Sequence, residues 1–269
     1  MSRILVISPS SFICRAFLGQ APADAAITVA DRFTWTEFDL GAFDVVINFA
    51  FDPRMRGEIY VPERDFDGHV AEACAGRPCH FVMVSSRRAY GPGTGAAYRE
   101  DDALRPADTY GRNKAESEAR VRRALGDACS ILRVSNVFGF EPGRHTFFGR
   151  ALQTLRDEGR ITLDVNPFVD RDFIAVEDCA ALLWRVVAAK PRGVFNLGRG
   201  EALAIGRVAL WLIEGFGRGD LVVISPEERD AFAMDLARLT EVCGPLAWRT
   251  GVRDQCLGIG RRLAEECGS

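Results

Sequence analysis

The sequence has no apolar run approaching the length of a membrane span, no Cys-x-x-Cys pair, three histidines and only two lysines, Lys114 and Lys190. The first absence argues against a membrane protein. The second and third argue against a zinc site or a disulfide framework, so the eight cysteines read as reduced, mostly buried thiols and no metal is expected. Acidic and basic residues are mixed along the chain and the net charge is -3, which leaves no basic field for nucleic acid or an anionic membrane. The start, Met1-Ser2-Arg3 before a four-residue apolar run, is too short for a signal peptide, and a cytoplasmic protein is expected.

What is present is a chain of 269 residues, 48% hydrophobic, enough for one large core. Short β-branched runs alternate with helical stretches, the pattern of a parallel sheet wrapped by helices. Strands are expected at Ile4 to Ile7, Ile27 to Ala30, Val45 to Phe49, Phe81 to Ser85 and Ile131 to Val134. Helices are expected from Phe12 to Leu18, from Phe66 to Cys74 and from near Thr109, after Pro106 and before Gly126. The stretch from Asp31 to Val45 is short for a full helix-strand unit, so one crossover is expected to be truncated. Beyond Val134 a looser pattern suggests a small lobe, with a helix near Glu177 to Ala189, a strand Val194 to Leu197 and a last helix near Val252 to Glu266.

Tyr110 and Lys114 open the helix near Thr109, and a spacing of four puts both on one face. A free phenol titrates near pH ~10, and an adjacent ammonium helps it act as an acid or base nearer neutrality. Lysine's compact charge suits that task and ribose hydroxyls, whereas arginine's planar fork favours carboxylate or phosphate. With four tyrosines and two lysines, about 0.03 such pairs would arise by chance. Ser86, at the carboxyl end of the fourth strand, lies where ligands meet an open parallel sheet; alone, it would read as a turn or cap.

At this point the sequence resembles the extended short-chain dehydrogenase/reductases, the nucleotide-sugar epimerases, dehydratases and ketoreductases. Ser85-Ser86-Arg87-Arg88-Ala89-Tyr90-Gly91 is similar to the family's Ser-Ser-x-x-x-Tyr-Gly segment, Tyr110 to Lys114 to its catalytic pair, and Asn48-Phe49-Ala50 to the segment after its fourth strand. Leu132 to Gly139 and Arg171 to Asp178 resemble two further stretches. The resemblance implies an α/β, Rossmann-type doubly wound parallel sheet with a small C-terminal substrate lobe: one unit over 1–269, with 1–140 mainly dinucleotide-binding and 141–269 mixed. It implies Ser86, Tyr110 and Lys114 as catalytic residues, the last two also meeting the cofactor. Ser86, Arg87, Asn136 and Arg171 are implied for the substrate, with a guanidinium apt for its phosphate. Read without the resemblance, Arg171 is equally an ion-pair partner of Asp170 or Asp172. Ser8, Asp31, Asn48, Ser86 and Asn136 all fall at carboxyl ends of expected strands, as such a site requires.

The chain departs from the family at the first turn, where Ser8, Ser11 and Cys14 replace three glycines around Phe12 and Ile13. Cofactor binding with altered geometry is expected there. Ser8, Ser11, Phe12, Ile13, Asp31, Arg32, Asn48, Phe49 and Ala50 are the cofactor residues implied. Asp31 slightly favours NAD by accepting from a ribose, and Arg32 would instead receive the phosphate of NADP. Asp65 stands where relatives often place asparagine. Arg87 and Arg88 occupy the positions of the dehydratases' Asp-Glu pair, and arginine cannot act as that acid or base, so a 4,6-dehydratase is disfavoured. The expected activity is NAD(P)-dependent reduction of a nucleotide-linked 4-keto sugar. A 4-epimerase with tightly held NAD and a non-catalytic binding or regulatory module with a decayed cofactor loop remain open. The resemblance also implies a homodimer, paired through the helices near Phe66 and Thr109.

Overall fold

In the computed structural model, which describes residues 2–268, the expected alternation of the first half is present. It runs β1 (Arg3–Ile7), α1 (Phe12–Gly19), β2 (Ala26–Ala30), β3 (Val45–Asn48), α2 (Phe66–Cys74), β4 (His80–Ser86), β5 (Thr94–Tyr98), α3 (Thr109–Leu125) and β6 (Cys129–Val134). The second half adds β7 (Asn136–Phe138), α4 (Phe147–Glu158), β8 (Arg160–Leu163), β9 (Asp170–Ala175), α5 (Val176–Ala189) and β10 (Gly193–Leu197). It ends with β11 (Ala202–Ala204), α6 (Ile205–Phe216), β12 (Asp220–Val223), β13 (Ala231–Met234), α7 (Ala237–Cys243) and α8 (Val252–Gly268).

Six strands form one parallel sheet in the order β10-β6-β4-β3-β1-β2. The chain leaves β1 towards β2 and then returns to the other side of β1 as β3, so the strand order reverses between Ser8 and Asn48. That crevice is where a doubly wound sheet receives a ligand. The truncated crossover consists of two short 3-10 turns, Trp35–Glu37 and Leu40–Ala42, whose Trp35 and Leu40 are buried. Both faces of the sheet are covered, as all-parallel strands require. Phe17 and Leu183 pack on one face, Val70 and Val121 on the other. The Phe17 ring stacks 4.2 Å from Trp184, whose indole N–H donates to the Phe17 carbonyl at 2.8 Å, tying α1 to α5.

The helix near Glu177 and the strand Val194 to Leu197, expected in the small lobe, belong to the main sheet. There β10 continues the parallel order beside β6, and α5 packs on α1. The second core gathers α4, α6 and α8 around Leu152, Leu155, Val208, Leu212 and Leu263. Its sheet runs β11-β9-β13-β5, with β7 paired to β9, and β12 pairs with β8 apart from it. Among the described residues no helix is long and apolar enough to cross a membrane.

Candidate active site

A cavity of about 1010 Å³ opens at the carboxyl ends of the main strands. Ser11, Phe12, Ile13, Ser86, Tyr110 and Lys114 all line it, together with Asn136 and Arg171. Ser86 ends β4, and its Oγ accepts from the Arg88 amide at 3.2 Å, capping a short 3-10 turn over Arg87–Ala89. That bond uses a lone pair, so the Ser86 hydroxyl hydrogen can still be given to a ligand.

Tyr110 is the second residue of α3, whose N-terminus is capped by Asp108 Oδ1 accepting from the Gly111 amide at 2.7 Å. Gly111 lets this helix touch the turn after Ser86: a Cβ there would lie 2.3 Å from the Arg88 carbonyl oxygen. The Phe51 ring meets Tyr110 edge-on at 5.4 Å, and the Lys114 ammonium sits 5.2 Å from the Phe51 centre. The Tyr110 hydroxyl makes no hydrogen bond among the described residues.

Lys114 is buried, and its Nζ donates to Asp67 Oδ2 at 3.0 Å and to the Val84 carbonyl at 3.1 Å. An ammonium has three N–H groups, so one remains for the cavity. Burial disfavours the charged lysine, but Asp67 and Tyr110 outweigh it and its pKa is raised. Burial raises the Asp67 carboxyl. Asn48 donates to Asp67 Oδ1 at 2.7 Å and accepts from the Ala50 amide at 2.9 Å, so its side chain holds the partner of Lys114. Phe49 and Ala50 follow it on the cavity wall.

At the first turn Ser8 adopts a φ of 67°, the left-handed conformation a glycine would supply, and its amide donates to the Ala30 carbonyl at 2.9 Å. Ser11 caps α1, its Oγ accepting from the Cys14 amide at 3.2 Å. The amides of Phe12 and Ile13, unpaired among the described residues, remain at a helix N-terminus on the cavity wall. Cys14 is fully buried, and burial pushes its thiol up to about 12, which makes it packing rather than chemistry. These features fit a dinucleotide: the turn keeps its shape without glycine, and two helix amides stand ready for a pyrophosphate. Asp31 lies past β2, outside the cavity wall; one carboxylate oxygen accepts from the Phe33 amide at 2.9 Å. Arg32 is beside it, its guanidinium 4.7 Å over the Phe33 ring.

Arg87, expected to meet the substrate, is on the cavity wall as well. It is buried, and both terminal nitrogens donate to Asp230 at 2.6 Å, with the guanidinium 4.0 Å over Phe232. Its task is to clamp the 229–231 segment to the turn after Ser86. Arg171 pairs with neither Asp170 nor Asp172; it donates to the carbonyls of Asp230 and Arg229, each at 3.2 Å. Asp172 is buried under the Arg199 and Gly200 amides instead. Asp65 caps α2 through the Gly68 amide and accepts from Ser117 of α3 at 2.9 Å and from Tyr60 at 2.6 Å.

Sequence reasoning did not find Asp67, Asn113, Arg56 or Asp230. Asn113 donates to the carbonyls of Met55 at 2.7 Å and Glu58 at 2.8 Å, fastening the 53–58 segment to α3. The one signal for Asp67 in the sequence is Lys114 itself, since a lysine turned towards a sheet-end site asks for a counter-ion.

The family model for the RmlD substrate binding domain matches residues 60–228. The chain belongs to that family, within the extended short-chain dehydrogenase/reductases. It is 29% identical over 204 residues to an ADP-L-glycero-D-manno-heptose-6-epimerase of Alkalilimnicola ehrlichii, an alignment that covers 67% of this chain and 63% of that protein. Among solved structures it is similar to the UDP-N-acetylglucosamine 4-epimerase from Methanobrevibacter ruminantium M1, in complex with UDP-N-acetylmuramic acid. The TM-score is 0.83 at 16% identity, over 98% of this chain and 99% of that one. It is also similar to TunA, an NAD-dependent NDP-hexosamine 5,6-dehydratase involved in tunicamycin biosynthesis, with a TM-score of 0.81 at 19% identity, over 100% and 98%. Tyr110 and Lys114, expected as the catalytic pair, stand on α3, and Ser8, Ser11 and Cys14 occupy the first turn.

Proposed function

We propose that this protein is an NAD(P)-dependent oxidoreductase acting on a nucleotide-linked sugar, and that it reduces a 4-keto sugar. The observation that carries the reading is the convergence of Ser86, Tyr110 and Lys114 on one cavity, with a buried ammonium near a phenol hydroxyl that makes no hydrogen bond among the described residues. A nicotinamide bound there would supply the hydride. The Phe12 and Ile13 amides would hold its pyrophosphate, the third Lys114 N–H a ribose hydroxyl, and Asp31 the adenosine ribose. Ser86 donates a hydrogen bond to the sugar oxygen and orients it. Tyr110 gives that oxygen its proton, and the fixed positive charge of Lys114 favours the phenolate left behind. Asn136 and Arg171 take the nucleotide phosphates.

Arg87 and Arg88 follow Ser86 directly and engage Asp230 and Asp108, so no acid-base carboxylate pair follows the serine, which argues against a 4,6-dehydratase. The heptose-6-epimerase relative favours a second reading, redox-neutral epimerisation. Calorimetric titration with NAD, NADH, NADP and NADPH comes first, followed by turnover of nucleotide keto-sugars by the wild type and Tyr110→Phe. Binding of one form and a loss of at least about 100-fold in Y110F are expected. Stoichiometric consumption of reduced cofactor marks a reductase, and unchanged cofactor with isomerised sugar marks an epimerase. No binding at millimolar cofactor by the folded chain would leave the non-catalytic reading standing.

A further inference from the structure

Three arginines of the same cavity, Arg56, Arg88 and Arg144, interact with Tyr110 beyond the Ser86, Tyr110 and Lys114 set. Arg56 is exposed and, unlike Arg88 and Arg144, has no carboxylate partner among the described residues. Its guanidinium lies 5.4 Å from the Tyr110 ring centre and 5.3 Å from that of Phe51. This position is built rather than incidental. Asn113, on the helix face that carries Tyr110 and Lys114, spends both side-chain hydrogens on the Met55 and Glu58 carbonyls, which bracket Arg56.

Arg144 enters from the segment before α4, stacks 4.3 Å over Phe12 and pairs with Glu141 at 3.3 Å. Burial lowers its pKa, Glu141 opposes that shift, and Arg56 is close enough to add to it. Arg88 leaves the turn after Ser86 and pairs with Asp108; burial and Arg87 lower its pKa as well. Tyr110 acts electrostatically on both Arg88 and Arg144.

The cavity as a whole is lined by seven arginines and Lys114 against three aspartates, in a chain whose net charge is -3. Guanidinium groups stay protonated in such surroundings. Arg88 and Arg144 are held by Asp108 and Glu141, which leaves Arg56 as the guanidinium beside the phenol with no carboxylate partner among the described residues. Arg171 is a separate cation, fastened to the 229–230 backbone, and serves the nucleotide phosphates in the reading above. Arg56 is then open to further anionic charge on the ligand at the reacting end.

We propose that Arg56, with Arg88 and Arg144, forms an anion site around Tyr110, and that the sugar bound there carries a carboxylate. The planar guanidinium fork fits a carboxylate through two parallel hydrogen bonds. This rests on the nucleotide-sugar reading and adds the substrate class to it. A neutral sugar of the same size would leave Arg56 unpaired, so selectivity arises from the charge and not from shape.

The test is calorimetric binding by the full chain of two matched pairs, UDP-glucuronate against UDP-glucose and ADP-glucuronate against ADP-glucose. In whichever pair binds, the wild type should prefer the uronate by about tenfold or more, and Arg56→Gln should bring the preference within about twofold. Arg56 is exposed, so R56Q should keep its melting temperature. Equal binding of uronate and neutral sugar by the wild type would overturn the anion site alone. So would a preference that survives R56Q, or a fall in NADH affinity in R56Q with the sugar ratio unchanged, which would give Arg56 to the cofactor phosphates. Binding of neither pair would instead bring down the nucleotide-sugar reading together with the proposal.

Discussion

Lys114 offers three N–H donors, of which Asp67 and the Val84 carbonyl take two. The ammonium therefore faces the cavity already oriented, and Asp67 positions it from behind. A lysine paired to a buried carboxylate keeps its charge where desolvation alone would remove it. The side chains of Lys114 and Asp67 are 6% and 5% exposed, so removing one charge leaves the other without water. Asp67→Asn is expected to destabilise the fold by about 3–5 kcal/mol. The double variant D67N/Lys114→Met should recover part of that loss, and urea unfolding of both measures it. A D67N change below about 0.5 kcal/mol would mean that the pair is not the buried ion pair described. Residue types were legible at this scale because Tyr110 and Lys114 share a helix face. Asp67 was not, because its role depends on the packing of α2 on α3, which sequence spacing does not contain.

Helix α3 unites most of the site: Asp108 starts it, Tyr110 and Lys114 face the cavity, and Asn113 holds the 53–58 segment. All of this depends on how closely its first turn approaches the turn after Ser86. In Gly111→Ala, the new Cβ would meet the Arg88 carbonyl at 2.3 Å and Pro106 Cβ at 3.0 Å. Neither backbone can yield without parting Tyr110 from Ser86. Overpacking of this kind costs about 1–3 kcal/mol, partly offset by the better helix propensity of alanine, about 1 kcal/mol. G111A should therefore lower the melting temperature only modestly while reducing turnover well beyond that change. Full activity in G111A would show that the contact is not needed for the site. The helices and parallel strands of the first half were legible because their apolar runs are long and bounded by Pro106, Gly126 and similar signals. The second sheet was not, since Thr94–Tyr98 and Ala202–Ala204 hold little β-branched sequence and owe their extension to partners far along the chain. Helix α6 is different: Ile205, Val208, Ala209 and Leu212 are buried at helical spacing before Gly217, a readable pattern that the loop-rich surroundings obscured.

For the whole molecule, the central sheet is held at the end away from the cavity by a small polar chain. Ser130 of β6 donates its hydrogen to the Pro191 carbonyl, so the His80 Nε2, 2.8 Å from Ser130 Oγ, must be the donor to it. The link joins β4, β6 and the segment leading into β10. Burial, helped by Lys190 and Arg192, pushes the His80 pKa from 6.5 down to about 4. An unfolded chain binds the His80 proton near its ordinary value while the folded chain resists, so stability is complete above about pH 6.5 and drains away towards pH 4. The total at stake is about 3 kcal/mol, with a slope near 1.4 kcal/mol per pH unit at its steepest. A second acid loss lies below this window. Burial alone would raise the Asp230 carboxyl, but Arg87 outweighs it and the net shift is downward, so the Arg87 clamp weakens only as that carboxylate is protonated, below about pH 4. His80→Gln keeps an N–H donor towards Ser130 and cannot titrate. Urea unfolding from pH 7 to 4 should show wild-type stability falling by about 3 kcal/mol more than that of H80Q, with the two curves parallel below pH 4, where the Asp230 clamp is common to both. Parallel curves between pH 6.5 and 4 would mean that the imidazole is protonated in the folded protein as readily as in the unfolded chain, and that the β4–β6 link is not the neutral one its geometry implies.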